Sequence, residues 1–264
     1  MQGIDNSCPG GSRGNVSVCG IAGALIYDSS TARLDNFQAA VNGSASRGVD
    51  SFGMVRWSPS IGFRHQGRLG PGAVGWLDAI GRPAADELTI YLHTSRAEPT
   101  TEWQKTKTGS DIPPFVDEGI AVAHNGIIAN DDELAKKYDI RRASLVDTAV
   151  LPPLVARIGV WQAIASLKGG AALAVFDSRS ESFVLGRNFL PLAIAWEPGV
   201  VCFASEARFF PNFDQPFRQF HLWELPPYSA IELSAGGFHG PFVWGDLPSP
   251  ENESWLPFPS LKWE

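Results

Sequence analysis

With 264 residues, 44% of them hydrophobic and 19% charged, the chain is long enough to bury a core as one large domain or two small ones. Its net charge of −7 and pI near 5.3 argue against a general nucleic-acid or anionic-membrane binder, since either surface would repel it. Cys8, Cys19 and Cys202 are too few and too oddly counted for a disulfide framework, which points to a reducing, cytoplasmic compartment and leaves room for a working thiol.

Residues 1–18 are rich in Gly, Ser and Asn and hold no apolar run able to form a signal-peptide core, so a flexible leader is expected there. Folded structure is expected from Cys19 onward. The apolar run Cys19–Tyr27 is followed by short β-type runs at Phe52–Trp57, Leu88–Thr94, Ile120–Ala123, Ala172–Phe176, Phe183–Gly186, Leu192–Trp196, Val200–Ala204 and Ala230–Leu233. Helices are expected at Thr31–Val41, Asp131–Tyr138 and Pro153–Leu167, the last with Pro152 and Pro153 at its start and Gly169 and Gly170 after its end. This mix predicts an α+β domain over residues 19–243, with sheets packed on each other and helices outside. From Trp244 onward, Pro, Ser, Glu and Trp follow no period, and residues 244–264 are expected to form an irregular tail. No stretch approaches a membrane span. The dispersed His and Cys residues lack metal-ligand spacing, so no metal or other cofactor is expected.

Five short segments carry the chemistry. They are Cys19-Gly20-Ile21-Ala22-Gly23, Arg47-Gly48-Val49-Asp50-Ser51-Phe52-Gly53, His93-Thr94-Ser95-Arg96-Ala97, His124-Asn125-Gly126-Ile127-Ile128-Ala129-Asn130 and Val146-Asp147-Thr148. In this order and rough spacing they resemble the class II glutamine amidotransferases, a family with an N-terminal nucleophile (Ntn). The resemblance covers nearly the whole chain after residue 18. It implies a four-layer αββα sandwich, with Cys19 as the first residue of the mature enzyme and its own α-amino group as base. It also implies substrate-binding roles for Arg96 on the glutamine carboxylate and Asp147 on its ammonium, and a pocket-shaping loop containing Arg47 and Asp50. Three positions depart from the family pattern: Ser95 occupies the place directly after His93-Thr94, Ala97 stands where an aromatic usually follows the arginine, and Ala149 replaces the Glu of Asp-Thr-Glu. Either the arginine is shifted by one residue or the pocket accepts a modified substrate.

The residue types suit those roles on physical grounds. A thiol with a pKa near 8.5 is mostly protonated at neutral pH, whereas an α-amine with a pKa of about 7.7 to 8 is partly free to act as base. Attack on an amide carbon places negative charge on its oxygen, which the Asn125 side-chain NH2 and the Gly126 backbone N–H could receive as adjacent donors. Arg96 can grip a carboxylate bidentately, and Asp147 can accept from an ammonium. Each residue also has a plainer reading. A lone cysteine is often a small buried apolar residue, Asn-Gly is most simply a hairpin turn, and Arg47 with Asp50 could be a loop salt bridge. His93 and His124 read as structural.

The expected substrate is glutamine or a γ-glutamyl analogue, and the expected partner is a separate ammonia-accepting synthetase or transferase. A γ-glutamyl amide hydrolase that channels nothing is the alternative enzyme. A silent Ntn-fold binding or structural protein with its leader uncleaved is the alternative outside enzymes. The 18 residues before Cys19 must be removed as a propeptide, or translation must begin at Val18, for the α-amine of Cys19 to be free.

Overall fold

The computed structural model describes residues 19–72, 75–84, 87–97, 108–211, 221–234 and 237–244. Alternation of side chains along its strands sorts the apolar residues into three core layers. In β1 (Gly20–Ile26), Ile21 and Leu25 face one side, whereas Ala22, Ala24 and Ile26 face the other. The same period-two division holds in β4 (Thr89–Arg96), with Ile90 and Leu92 opposed to Tyr91, and in β6 (Ile120–Ile128), with Ala121 and Ala123 opposed to Ile120 and Val122.

Among the described residues, one antiparallel sheet has seven strands in the order β11-β9-β10-β1-β4-β2-β3. Its further members are β2 (Ser51–Ser58), β3 (Gly62–Leu69), β9 (Ala193–Glu197), β10 (Val200–Ala204) and β11 (His221–Glu224). The second sheet runs β13-β12-β8-β7-β6-β5 and adds β5 (Phe115–Asp117), β7 (Gly169–Asp177), β8 (Ser182–Arg187), β12 (Ser229–Ser234) and β13 (Gly237–Val243). Helices α1 (Asp35–Ala45) and α2 (Trp76–Ile80) cover the outer face of the first sheet through Phe37, Val41, Trp76 and Ile80. On the other side, α3 (Asp131–Lys137), α4 (Leu151–Ile158) and α5 (Val160–Ser166) cover the second sheet through Leu134, Leu154 and Ile164. The result is the αββα sandwich.

Between the sheets, Ala121, Ala123, Ala172 and Ala174 leave room for large rings at one end of the sandwich. Trp57 and Phe176 lie 4.7 Å apart, with Phe183 6.2 Å beyond Phe176 and Phe203 5.9 Å beyond Phe183. Burying each such phenylalanine contributes about 1.5–3 kcal/mol. The ladders run from this aromatic end to the opposite end, where Gly20 pairs Ser95 in one sheet and Gly126 pairs Ala171 in the other.

Local structure departs from expectation in several places. The segment expected as one helix over Pro153–Leu167 breaks at Gly159, whose φ of 80° and ψ of 158° end α4 and start α5. The first helix begins at Asp35 rather than Thr31 and continues to Ala45. Asn125 and Gly126 do not form a hairpin turn: both lie inside β6, paired with Ala172 and Ala171 of β7. Apart from these departures, Trp244 bonds the Tyr228 carbonyl through its backbone N–H and packs on the helical layer beside Gly186. Residues 1–18 and 245–264 lie outside the described residues. Among the described residues, no helix is long and apolar enough to cross a membrane.

Candidate active site

Cys19 stands one residue before β1 and shares the inter-sheet side with Ile21. Extending the β1–β4 ladder one step beyond the Gly20–Ser95 pair sets Cys19 opposite Arg96. The main chain here is held from several directions. Arg47 Nε donates to the Cys19 carbonyl at 2.9 Å, and Arg47 is itself ion-paired to Glu206, which also binds Arg208. Ser44 Oγ donates to the Ile21 carbonyl at 2.9 Å, and Ser205 Oγ accepts from the Ile21 N–H at 2.8 Å. The half-buried thiol of Cys19 approaches the Ala97 carbonyl oxygen at 3.4 Å.

Asp50 enters this frame through its backbone, donating from its N–H to the Arg96 carbonyl at 2.9 Å and accepting from Gly70 at 2.8 Å. His93 Nδ1 lies 2.8 Å from the Gly53 carbonyl, which can only accept, so Nδ1 carries the proton and Nε2 accepts from Ser95 Oγ at 2.9 Å. Burial lowers the His93 pKa to about 4, and the ring is therefore a neutral spacer between β2 and β4.

The facing wall belongs to the second sheet. Asp147 opens a 3₁₀ turn over Asp147–Val150. Its Oδ2 accepts from the Ile128 N–H at 2.7 Å, and its Oδ1 accepts from the Thr148 N–H at 2.6 Å and the Thr148 hydroxyl at 3.1 Å. His124 Nδ1 lies 2.8 Å from Thr148 Oγ1. Burial lowers the pKa of His124, while the neighbouring Asp147 charge pulls it up. Gly126 adopts φ 139°, and a Cβ there would fall 1.9 Å from the Gly170 carbonyl oxygen, so only glycine fits this crossing of β6 and β7. Asn125 shares the inter-sheet side with Ala123 and is 1% exposed; its Nδ2 is buried with no hydrogen-bond partner.

The two walls line one pocket that is open to solvent. Cys19, Thr94, Arg96 and Pro113 line one side, and His124, Gly126, Val146, Asp147 and Thr148 line the other. Of the residues singled out in the sequence, Cys19, Arg96, Gly126 and Asp147 thus come together. Asn125, Arg47 and Asp50 are not among the lining residues: Asn125 is the immediate neighbour of His124 and Gly126, and Arg47 lies against the Cys19 main chain.

Thr94 and Asp111 were not singled out by sequence reasoning. Asp111 accepts from Ser144 Oγ at 2.6 Å and the Thr108 N–H at 2.8 Å. Burial pushes its pKa up, but these bonds and the Arg96 charge outweigh it and leave the group lowered. Asp111 thereby links the Arg96 side of the site to the segment leading into Asp147. Ser144 lies 33 positions after Asp111 in the chain, and no local pattern signals that contact.

Residues 102–212 match the family model described as the glutamine amidotransferase domain. The 7-cyano-7-deazaguanine synthase of Saccharolobus solfataricus is 30% identical over 244 residues, covering 83% of this chain and 49% of that protein. The glutamine–fructose-6-phosphate aminotransferase (isomerizing) of Escherichia coli is 28% identical over 207 residues, covering 72% of this chain and 32% of that one. The glutamine phosphoribosylpyrophosphate amidotransferase from B. subtilis superposes with a TM-score of 0.61 at 17% identity, over 83% of this chain and 48% of that chain, which shows a shared fold. The chain spans about half or less of the length of these relatives. The family-model match and the ordered motifs identify a glutamine amidotransferase domain, and its αββα sandwich is the fold shared with the B. subtilis amidotransferase.

Proposed function

We propose that this domain hydrolyses the side-chain amide of glutamine, or of a close γ-glutamyl analogue, through a thioester on Cys19, and that the ammonia passes to a separate synthetase or transferase. The observation that carries the reading is the meeting of a thiol, a guanidinium and a carboxylate around one pocket, next to a buried carboxamide whose Nδ2 has no partner. The relatives named as a synthase and as an aminotransferase support delivery of ammonia to further chemistry.

In this mechanism the free α-amine of Cys19 takes the thiol proton, and the thiolate attacks the amide carbon. Asn125 Nδ2 and the Gly126 N–H donate to the oxyanion. The C–N bond then breaks as the α-ammonium returns a proton to the departing nitrogen, which leaves as ammonia. Water adds to the thioester with the α-amine as base, releasing the carboxylate product and the thiol. Arg96 holds the substrate carboxylate and Asp147 its ammonium. Three hydrogen bonds reach the Asp147 carboxylate, which has about four acceptor sites, so capacity remains for the substrate. Arg47 and Asp50 shape the pocket from behind, Arg47 by fixing the Cys19 carbonyl.

The test pairs N-terminal sequencing with measurement of glutamate and ammonia release from glutamine. Chains beginning at Cys19 are expected to turn over, and chains retaining residues 1–18 are expected to be inactive, because an amide nitrogen has no basic lone pair. Turnover by protein whose every chain starts at Met1, or inactivity of chains starting at Cys19, overturns the mechanism.

A further inference from the structure

We propose that Thr94 is a specificity-determining residue whose hydroxyl stands beside Arg96 as a second donor to the α-carboxylate of the substrate, an inference that rests on the glutamine-hydrolysis reading above. Thr94 is 1% exposed, lines the same pocket as Cys19 and Arg96, and has a buried Oγ1 without a hydrogen-bond partner. On the same face of β4, Ile90 and Leu92 precede it, both buried in the inter-sheet core. By that pattern the position would take valine, which has the same shape without the oxygen. An unpaired buried hydroxyl weakens the empty protein, so its presence at the pocket wall points to a ligand that completes it.

The place of Thr94 in the sheet says which part of the ligand. Thr94 and Arg96 are two residues apart on one strand, so their side chains project from one face with their Cα atoms roughly 6–7 Å apart. Donors therefore gather on the β4 wall, whereas the facing wall presents the Asp147 carboxylate. A substrate bearing both an α-carboxylate and an α-ammonium is sorted by that polarity, with its carboxylate toward β4. Ser51 Oγ is likewise buried without a partner but does not line the pocket, and the Thr148 hydroxyl, which does, is engaged by Asp147 and His124, so Thr94 carries the unpartnered hydroxyl of the pocket wall among the described residues.

The experiment compares Thr94→Val and Thr94→Ser with wild type, all beginning at Cys19. For Thr94→Val, KM for glutamine is expected to rise about tenfold, equivalent to about 1.4 kcal/mol, with kcat little changed, because the contact serves ground and transition states alike. Thr94→Ser should restore KM. The melting temperature of Thr94→Val should not fall, a combination that a merely structural role would not produce. With 4-aminobutanamide, which is glutamine without its α-carboxylate, as substrate, wild type and Thr94→Val should be equal. An unchanged KM for glutamine, or an equal loss with 4-aminobutanamide, overturns the assignment.

Calorimetric binding of glutamine to Cys19→Ala, with and without Thr94→Val, reads the same contact without turnover. There too Thr94→Val is expected to weaken affinity about tenfold, and unchanged affinity overturns the assignment. Tight binding lost in Thr94→Val but no turnover by wild type would overturn the hydrolysis mechanism and leave the Thr94 contact standing.

Discussion

The two walls of the pocket hold their functional groups by opposite means. On the first wall, Cys19 is oriented through the main chain, by Arg47 on its own carbonyl and by Ser44 and Ser205 on Ile21, while the thiol makes a weak sulfur contact to Ala97. On the second wall, Asp147 is stiffened through its own carboxylate by Ile128 and Thr148, and His124 through its ring by Thr148. In the proposed mechanism Cys19 forms and breaks a bond, and it is aimed from the backbone. A group that presents a fixed charge can be locked by its own atoms without losing its purpose. Asn125 is the exception on the second wall, because its Nδ2 is buried but not engaged.

That exception supplies the largest expected effect. If the unengaged Nδ2 is held for charge that appears only in the transition state, Asn125→Ala should lower kcat by a factor equivalent to about 2.7–4 kcal/mol with little change in KM. Steady-state kinetics on glutamine checks this, and a change confined to KM would make Asn125 a binding residue like its neighbours.

A comparable effect on stability is expected from the two histidines. The folded pKa of His93, about 4, lies below the unfolded value near 6.5, so the unfolded chain binds the extra proton. Stability from this group is fully present above pH 6.5 and is lost as pH falls through 4, by about 3 kcal/mol in all, with His124 acting in the same direction. Urea midpoints measured from pH 7 down to pH 4 should fall steadily. A flat profile would mean that neither ring is held neutral by burial.

The smallest expected effect sharpens the contrast between backbone and side-chain anchoring. Arg47→Gln removes the ion pair to Glu206 and loosens the Cys19 carbonyl without touching the pocket lining. It should reduce kcat by about tenfold while KM stays near wild type, because the nucleophile and not the substrate is displaced. A rise in KM alone would instead favour the pocket-shaping role that the resemblance implies for the Arg47 loop.

Most central strands were legible because they are short apolar runs, as in Val200–Ala204 and Phe52–Trp57. The strand β3 was not, since Gly62–Leu69 reads Gly-Phe-Arg-His-Gln-Gly-Arg-Leu and lies on an exposed edge, where no burial imposes alternation. The break in the helical segment after Ile158 was hidden because periodicity continues across Gly159 and only its backbone angles end the helix. At the site, motif order brought out Cys19, Arg96, Gly126 and Asp147, which line one pocket. Asn130, the last residue of its motif, instead ties the segment before β7, donating to the Ser166 carbonyl at 2.9 Å and accepting from the Lys168 N–H at 2.9 Å. A motif does not separate residues that do chemistry from residues that hold the chain. Thr94 was passed over because a threonine in a strand carries no signal until its hydroxyl is seen to lack a partner.

The most direct measurement of the central claim is the site of covalent capture. Protein beginning at Cys19 would be inactivated with a glutamine analogue bearing an electrophile at the side-chain carbon, then digested and mapped by mass spectrometry. One adduct per chain on Cys19, with loss of glutamine hydrolysis in step with labelling, is the predicted result. Cys202, completely buried and with its thiol pKa pushed up by that burial, should stay unmodified. Inactivation with Cys19 unmodified, or full labelling of Cys19 with hydrolysis intact, would contradict the account.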